Sequence, residues 1–140
     1  MATFQRFNSF IEAVAEKKHD MSADTFKVML TNTAPVATNT VKANITEIAA
    51  GNGYTAGGIT TPIASSSQTS GTYTAAVNTT ATWTAAGGSI APFRYAVMYN
   101  DTATSDELVG FWDYGSTISP ATGESFSWVM NANLLTIAPV

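Results

Sequence analysis

The sequence predicts a mainly β domain: an antiparallel β-sandwich or small barrel of about seven to nine short strands, preceded by one N-terminal α-helix. Three observations point there. Apolar and polar residues alternate with period two in several short runs. The clearest sets Phe93, Tyr95, Val97 and Tyr99 against Arg94, Ala96 and Met98. Turn signals interrupt the chain about every 8–12 residues, the spacing of small all-β folds. The chain also carries 22 Thr against 4 Leu, and Thr is a β-branched residue that suits a pleated, half-solvated surface.

The elements follow in order. Residues 1–18 read as a helix, because Phe4, Phe7, Ile11 and Val14 recur at spacings of three and four with Phe10 beside them. Thr3 suits its N-cap, and Lys17, Lys18 and His19 sit where a helix dipole favours cations. Its apolar stripe needs a partner, either the chain's own sheet or another protein. A β-rich body over 24–140 completes a single domain of 1–140. Phe26, Val28 and Leu30 alternate as a strand, and the turn Asn32-Thr-Ala-Pro35 follows. Residues 43–50 suit a short helix stopped by Gly51. Gly51, Gly53, Gly57 and Gly58 then mark a tight loop. Thr60 to Ser67 is a polar or edge strand, demoted by Pro62.

Ser70-Gly71 is a hairpin turn between that strand and Thr72–Val77; Thr79–Ala85 is centred on Trp83, and Gly87-Gly88 breaks the chain. After Phe93–Tyr99 come a polar loop at 100–106, a strand Leu108–Tyr114 around Trp112, and a turn at 120–123. Phe126, Trp128 and Met130 form the next strand; Asn131-Ala-Asn133 turns into a last one, Leu134–Ile137. Trp83, Trp112 and Trp128 lie centrally in strands and are expected in the core.

Composition excludes several classes of function. Charged residues are 11% of the chain, six Lys and Arg with ten Asp and Glu, against about 25% in an average domain. Leu, Ile, Val and Phe make up one fifth of the chain, at the edge of the disordered range, but disorder also needs a high net charge, and −4 is not high. Zero Cys excludes disulfides and Cys-based zinc sites, and a single His disfavours other transition-metal sites. Six dispersed cations cannot form a stripe that tracks phosphates, so no nucleic-acid partner is expected. No apolar run has the length of a signal peptide or a membrane span, which predicts synthesis in a cytoplasm and no membrane partner. The sequons at Asn44, Asn78 and Asn100 read as accidents of a Thr-rich composition.

Reactive constellations are thin. His19, with Asp20 or Asp24, is the only base a nucleophilic triad would find, and it reads instead as a solvated cation at a helix end. The Gly-rich loop lacks the Lys-Ser/Thr of a phosphate-binding loop. Asp101, Asp106 and Glu107 make an oxygen-rich loop of the kind that holds Ca²⁺, but without EF-hand spacing. A solvated hairpin loop is the better reading. Asp113 and Glu124 are the two carboxylates a glycosidase would need. The expectation is a protein that is not an enzyme and has no cofactor and no metal. Exposed Trp and Tyr would instead make a non-catalytic carbohydrate-binding module.

Four segments carry a resemblance. They are Leu-Thr-Asn-Thr-Ala-Pro at 30–35, Ala-Ala-Gly-Asn-Gly-Tyr-Thr-Ala-Gly-Gly at 49–58, Gly-Ser-Ile-Ala-Pro-Phe-Arg-Tyr-Ala-Val-Met-Tyr-Asn-Asp at 88–101, and Gly-Phe-Trp-Asp-Tyr-Gly at 110–115. In this order, and over nearly the whole chain, the sequence resembles a family of small proteins encoded among the virion structural genes of tailed bacteriophages and prophages. The resemblance implies a capsid decoration, or cement, protein bound to the lattice of the major capsid protein on the capsid surface of the virion. A phage tail component is the alternative. It carries over no catalytic residue. A homotrimer or other symmetric homo-oligomer fits such a lattice. The expected partner contacts are Phe4, Phe7 and Phe10 on the N-terminal stripe and Tyr54 in the Gly-rich loop.

Overall fold

Alternating runs of Thr, Val, Ala and aromatic residues pair into eight strands in two antiparallel sheets, with one short α-helix, in a computed structural model that describes residues 2–140. The strands are β1 (Phe4–Arg6), β2 (Phe26–Thr31), β3 (Ile59–Thr60), β4 (Ser65–Thr69), β5 (Thr72–Thr84), β6 (Phe93–Asn100), β7 (Leu108–Ile118) and β8 (Ser125–Ile137). The helix α1 spans Phe10–Ala15. One sheet has the order β1-β7-β6-β2-β3 and the other β4-β5-β8. Neither closes into a barrel.

The N-terminal helix expected over 1–18 is not formed as such. Residues 4–6 pair with β7 instead, placing Phe4 opposite Trp112 and Arg6 opposite Gly110. The ladder continues one residue past the strand, because Phe7 N–H donates to Val109 O at 3.2 Å. These amides meet a sheet edge that would otherwise be open, whereas a lone helical turn gains little in water. Gly110 makes the docking possible: a Cβ there would run into the Phe4 ring and lie 2.6 Å from Gln5 O. Only the second half of the stripe stays helical, and Ile11 on it remains exposed.

The helix expected over 43–50 also gives way. A 3-10 turn forms at Lys42–Asn44, and Asn44 Oδ1 accepts the N–H groups of Thr40 and Val41 at 3.0 and 3.2 Å. The following residues run extended along β2, where Ile48 N–H donates to Leu30 O at 3.1 Å. A free strand edge again wins over weak local helix preference.

Two expected breaks are absent. Thr72–Val77 and Thr79–Ala85 merge into β5, which pairs along its length with β8. The turn expected at Asn131-Ala-Asn133 lies inside β8. Its register slips where Ala75 faces Leu135 but Ala76 faces Asn133, so Leu134 is an extra residue. That bulge lets the consecutive Leu134 and Leu135 both turn inward. The hairpin turn at Ser70-Gly71 joins β4 to β5 as expected, with both residues at positive φ.

One cluster of buried side chains takes members from both sheets: Val28 and Leu30 of β2, Met98 of β6, Trp112 of β7, Trp83 of β5 and Trp128 of β8. The three tryptophans are core residues, as their central strand positions predict. A second cluster lies on the opposite face of the five-stranded sheet, where Met29, Val97 and Phe111 pack with Phe7, Tyr99 and Leu108. β2 and β6 are therefore covered on both faces rather than one. Each large side chain so buried contributes about 1.5–3 kcal/mol.

The Gly110→Ala variant is expected to lose about 1–3 kcal/mol in urea unfolding, because the new methyl group overpacks Phe4 and pushes β1 off β7. Amide exchange should speed up at residues 4–8 and stay unchanged along β5 and β8.

Candidate functional site

The Gly-rich loop is a fastening, and Tyr54 is at its centre. Gly51 and Tyr54 close a tight turn by mutual backbone bonds of 2.8 and 3.0 Å. The Tyr54 side chain turns into the shared core, where it is 2% exposed. Its hydroxyl accepts Leu30 N–H at 3.0 Å and donates to Glu47 Oε1 at 2.7 Å. Burial, together with the Glu47 carboxylate, pushes the phenol far above its ordinary pKa, so it stays a neutral donor. Tyr99, also buried with a raised pKa, donates its hydroxyl to Gly57 O at 2.7 Å. Gly53 and Gly58, at φ of 99° and 78°, press against the backbone of Thr84–Ala85 and of Val28–Met29. The close backbone approach that glycine permits is thus to the chain's own strands.

The other expected contact residues are likewise spent inside. Phe7 is 1% exposed and stacks at 5.2 Å from Phe111. Phe10 is 0% exposed, and its ring lies 5.3 Å from that of His19. Phe4 is half-buried against Trp112 at 4.8 Å. Most of the apolar stripe packs on the chain's own sheet, and Phe7, Phe10 and Tyr54 are buried within the chain.

His19 is a correction of another kind. It is 5% exposed, not a solvated helix-end cation. Its Nδ1 lies 3.1 Å from Asn100 Nδ2, which also donates to Asp24 Oδ2 at 2.6 Å and to Lys18 O at 3.1 Å. Phe10 and Phe26 flank the ring. Burial lowers its pKa below 6.5, against the opposing pull of the Glu107 and Asp24 carboxylates. Among the described residues no Ser or Thr hydroxyl is hydrogen-bonded to it.

Three of the carboxylates singled out by sequence, Asp101, Asp113 and Glu124, have separate partners. Asp101 pairs with Lys27 at 2.8 Å. Among the described residues no group of three or more His, Asp or Glu side chains is placed to hold a metal ion. Asp113 takes a bidentate grip from Arg94, at 2.7 and 2.9 Å, which holds its carboxyl below the usual range. Glu124 Oε2 accepts Ala121 N–H at 2.7 Å and ties the turn before β8. A general acid needs a raised carboxyl pKa, and Asp113 has the reverse. Of the aromatic residues a sugar would need, the tryptophans are buried. Tyr114 stands half-exposed, edge-on to Phe126 and Trp128.

The one extended surface of distinct chemistry was missed from the sequence. It is the outer face of β4-β5-β8. On β5, Asn78, Thr80, Thr82 and Thr84 point outward while Val77, Ala81 and Trp83 point inward; on β8, Ser127, Val129 and Asn131 point outward. The signal was legible: no charged residue occurs between Glu47 and Arg94 or after Glu124.

The His19 geometry sets a pH dependence. The folded pKa lies below the unfolded 6.5, so the unfolded chain takes up a proton first. Stability is full above about pH 6.5 and is lost as the pH falls toward the folded pKa. The His19 imidazole should titrate by NMR with a midpoint below 6.5, and His19→Gln should flatten the decline of the thermal midpoint between about pH 7 and about pH 5. Comparison with protein-family models, with curated proteins and with solved structures gives no match.

Proposed function

We propose that the chain is a bacteriophage virion structural protein, a capsid decoration (cement) protein that binds the assembled head and stabilises it. The partner is the lattice of the major capsid protein, the place is the capsid surface, and the protein is made in the host cytoplasm. It acts as a symmetric homo-oligomer and catalyses no reaction. We read its two sheets as the layers of a sandwich, since one core draws side chains from both.

The observation that carries this reading is the convergence of the four segments that bear the resemblance. They are scattered from residue 30 to residue 115 but build one block. Tyr54 bonds the backbone at Leu30, Tyr99 bonds it at Gly57, Asn52 Nδ2 donates to Ser89 O at 2.9 Å, and Val97 pairs with Phe111. The residues on which the resemblance rests are spent on framework, which favours a structural role over a chemical one. A rigid body that binds only the mature shell stabilises that state by mass action, and many weak copies suffice.

Immunogold labelling of phage particles tests the proposal. Gold is expected over the head, and particles lacking the protein are expected to lose DNA at a lower temperature. Label confined to the tail supports the tail-component alternative, and absence from particles overturns both.

A further inference from the structure

We propose that the outer face of the three-stranded sheet is a self-association surface, meeting the same face of a second copy across a two-fold axis near Val129. Val129 is 55% exposed, an apolar side chain set among hydroxyls and amides. It stands opposite Thr80, with Thr82 and Ser127 one step along the ladder on one side, Asn78 and Asn131 on the other.

Charge selects the partner. β4, β5 and β8 contain no charged residue, and all six Lys and Arg and all ten Asp and Glu lie outside that sheet. Two copies meeting through this face desolvate no charge. Pairing it with the five-stranded sheet or its loops would strip water from carboxylates and ammonium groups that find no counter-ion on the uncharged side. A nucleic acid or an anionic membrane meets no cation here.

Hydrogen bonding points the same way. Thr82 and Ser127 share one hydroxyl–hydroxyl hydrogen bond across the ladder at 2.9 Å, and Thr84 and Ser125 share another at 2.7 Å. Each pair keeps one O–H that can donate to an acceptor on the facing copy. Hydroxyl and amide groups both donate and accept, so the face is complementary to its own copy without a matching pattern of opposite charges.

Size sets the strength. The two long strands run about 44 Å at about 3.4 Å per residue and lie about 4.8 Å apart. With the shorter β4 they offer about 500 Å² per copy, or about 1,000 Å² in a pair, the low end for a specific complex and well short of an obligate dimer. The pairing is therefore reversible and concentration-dependent. It concerns the free chain and does not rest on the virion reading.

Sedimentation velocity on the full chain, from about 1 μM to about 1 mM, tests it. The expected result is a monomer–dimer equilibrium whose dissociation constant changes less than about threefold between about 50 mM and about 1 M NaCl, since no charges meet. Val129→Lys and Thr82→Lys, both at exposed positions, should each weaken it by about tenfold or more. Val36→Lys, at an exposed site off the sheet, should leave it unchanged. Thermal midpoints identify any variant that does not fold, and either sheet variant suffices for the comparison. A monomer at about 1 mM, a trimer, or a constant that follows salt overturns the proposal. So does a dimer indifferent to the folded sheet variants, which would point to pairing through the open β4 edge.

Discussion

The loop at 51–58 is the constraint on which the two-sheet arrangement depends. Gly53 rests on the end of β5 and Gly58 on β2, so one short segment touches the backbone of both sheets. Between them the Tyr54 ring enters the common core, and its hydroxyl meets the backbone N–H of Leu30. Side chains at either glycine would collide with strand backbone, which cannot move aside as a flexible side chain can. Apolar packing is non-directional and leaves sheets free to slide; the loop adds directional bonds that fix their relative position. From here the chain pairs briefly with β2 as β3 and then crosses to the other sheet as β4.

The rest of the molecule follows a division of labour set by that fastening. The five-stranded sheet is buried on both faces through β2 and β6, and it carries the ionic contacts: Lys27 with Asp101, Arg94 with Asp113, and the Asn100 network around His19. The three-stranded sheet has one buried face and one solvated face, and its polar side chains are all neutral. Glu47, Asp113 and Glu124, which would signal chemistry in isolation, hold loops and strands. Glu47 shows this best: one carboxylate oxygen receives both the Tyr54 hydroxyl and Gly57 N–H.

Much of the fold was legible because β structure writes a period-two pattern. β6, the Ser70-Gly71 turn and the three core tryptophans could be read directly. What could not be read depended on contacts distant in sequence. Phe4, Phe7, Phe10 and Ile11 have helical spacing, but the open edge of β7 lies about a hundred residues away, and only Gly110 reveals that Phe4 fits there. His19 looked solvated because Lys17, Lys18 and Asp20 surround it in sequence, while Phe10, Phe26 and Asn100 surround it in space. Tyr54 was expected to meet another molecule, but its hydroxyl is bonded within the chain, to Leu30 and Glu47, which spacing alone cannot distinguish from an external contact. The outer sheet face was present in the sequence as missing charge, a signal that averages over the whole chain erase.

That separation also makes the molecule electrically lopsided. The formal charge of −4 resides off the three-stranded sheet, in the stretch from Arg94 to Glu124, since the charges from Arg6 to Glu47 cancel. In the field of a charged body such a molecule feels a torque as well as a force. It turns its ionic half toward or away from that body while still diffusing, within the screening distance of about 8–10 Å at physiological salt. The neutral sheet then keeps a set bearing to whatever the molecule approaches, so orientation is chosen before any side chain makes contact.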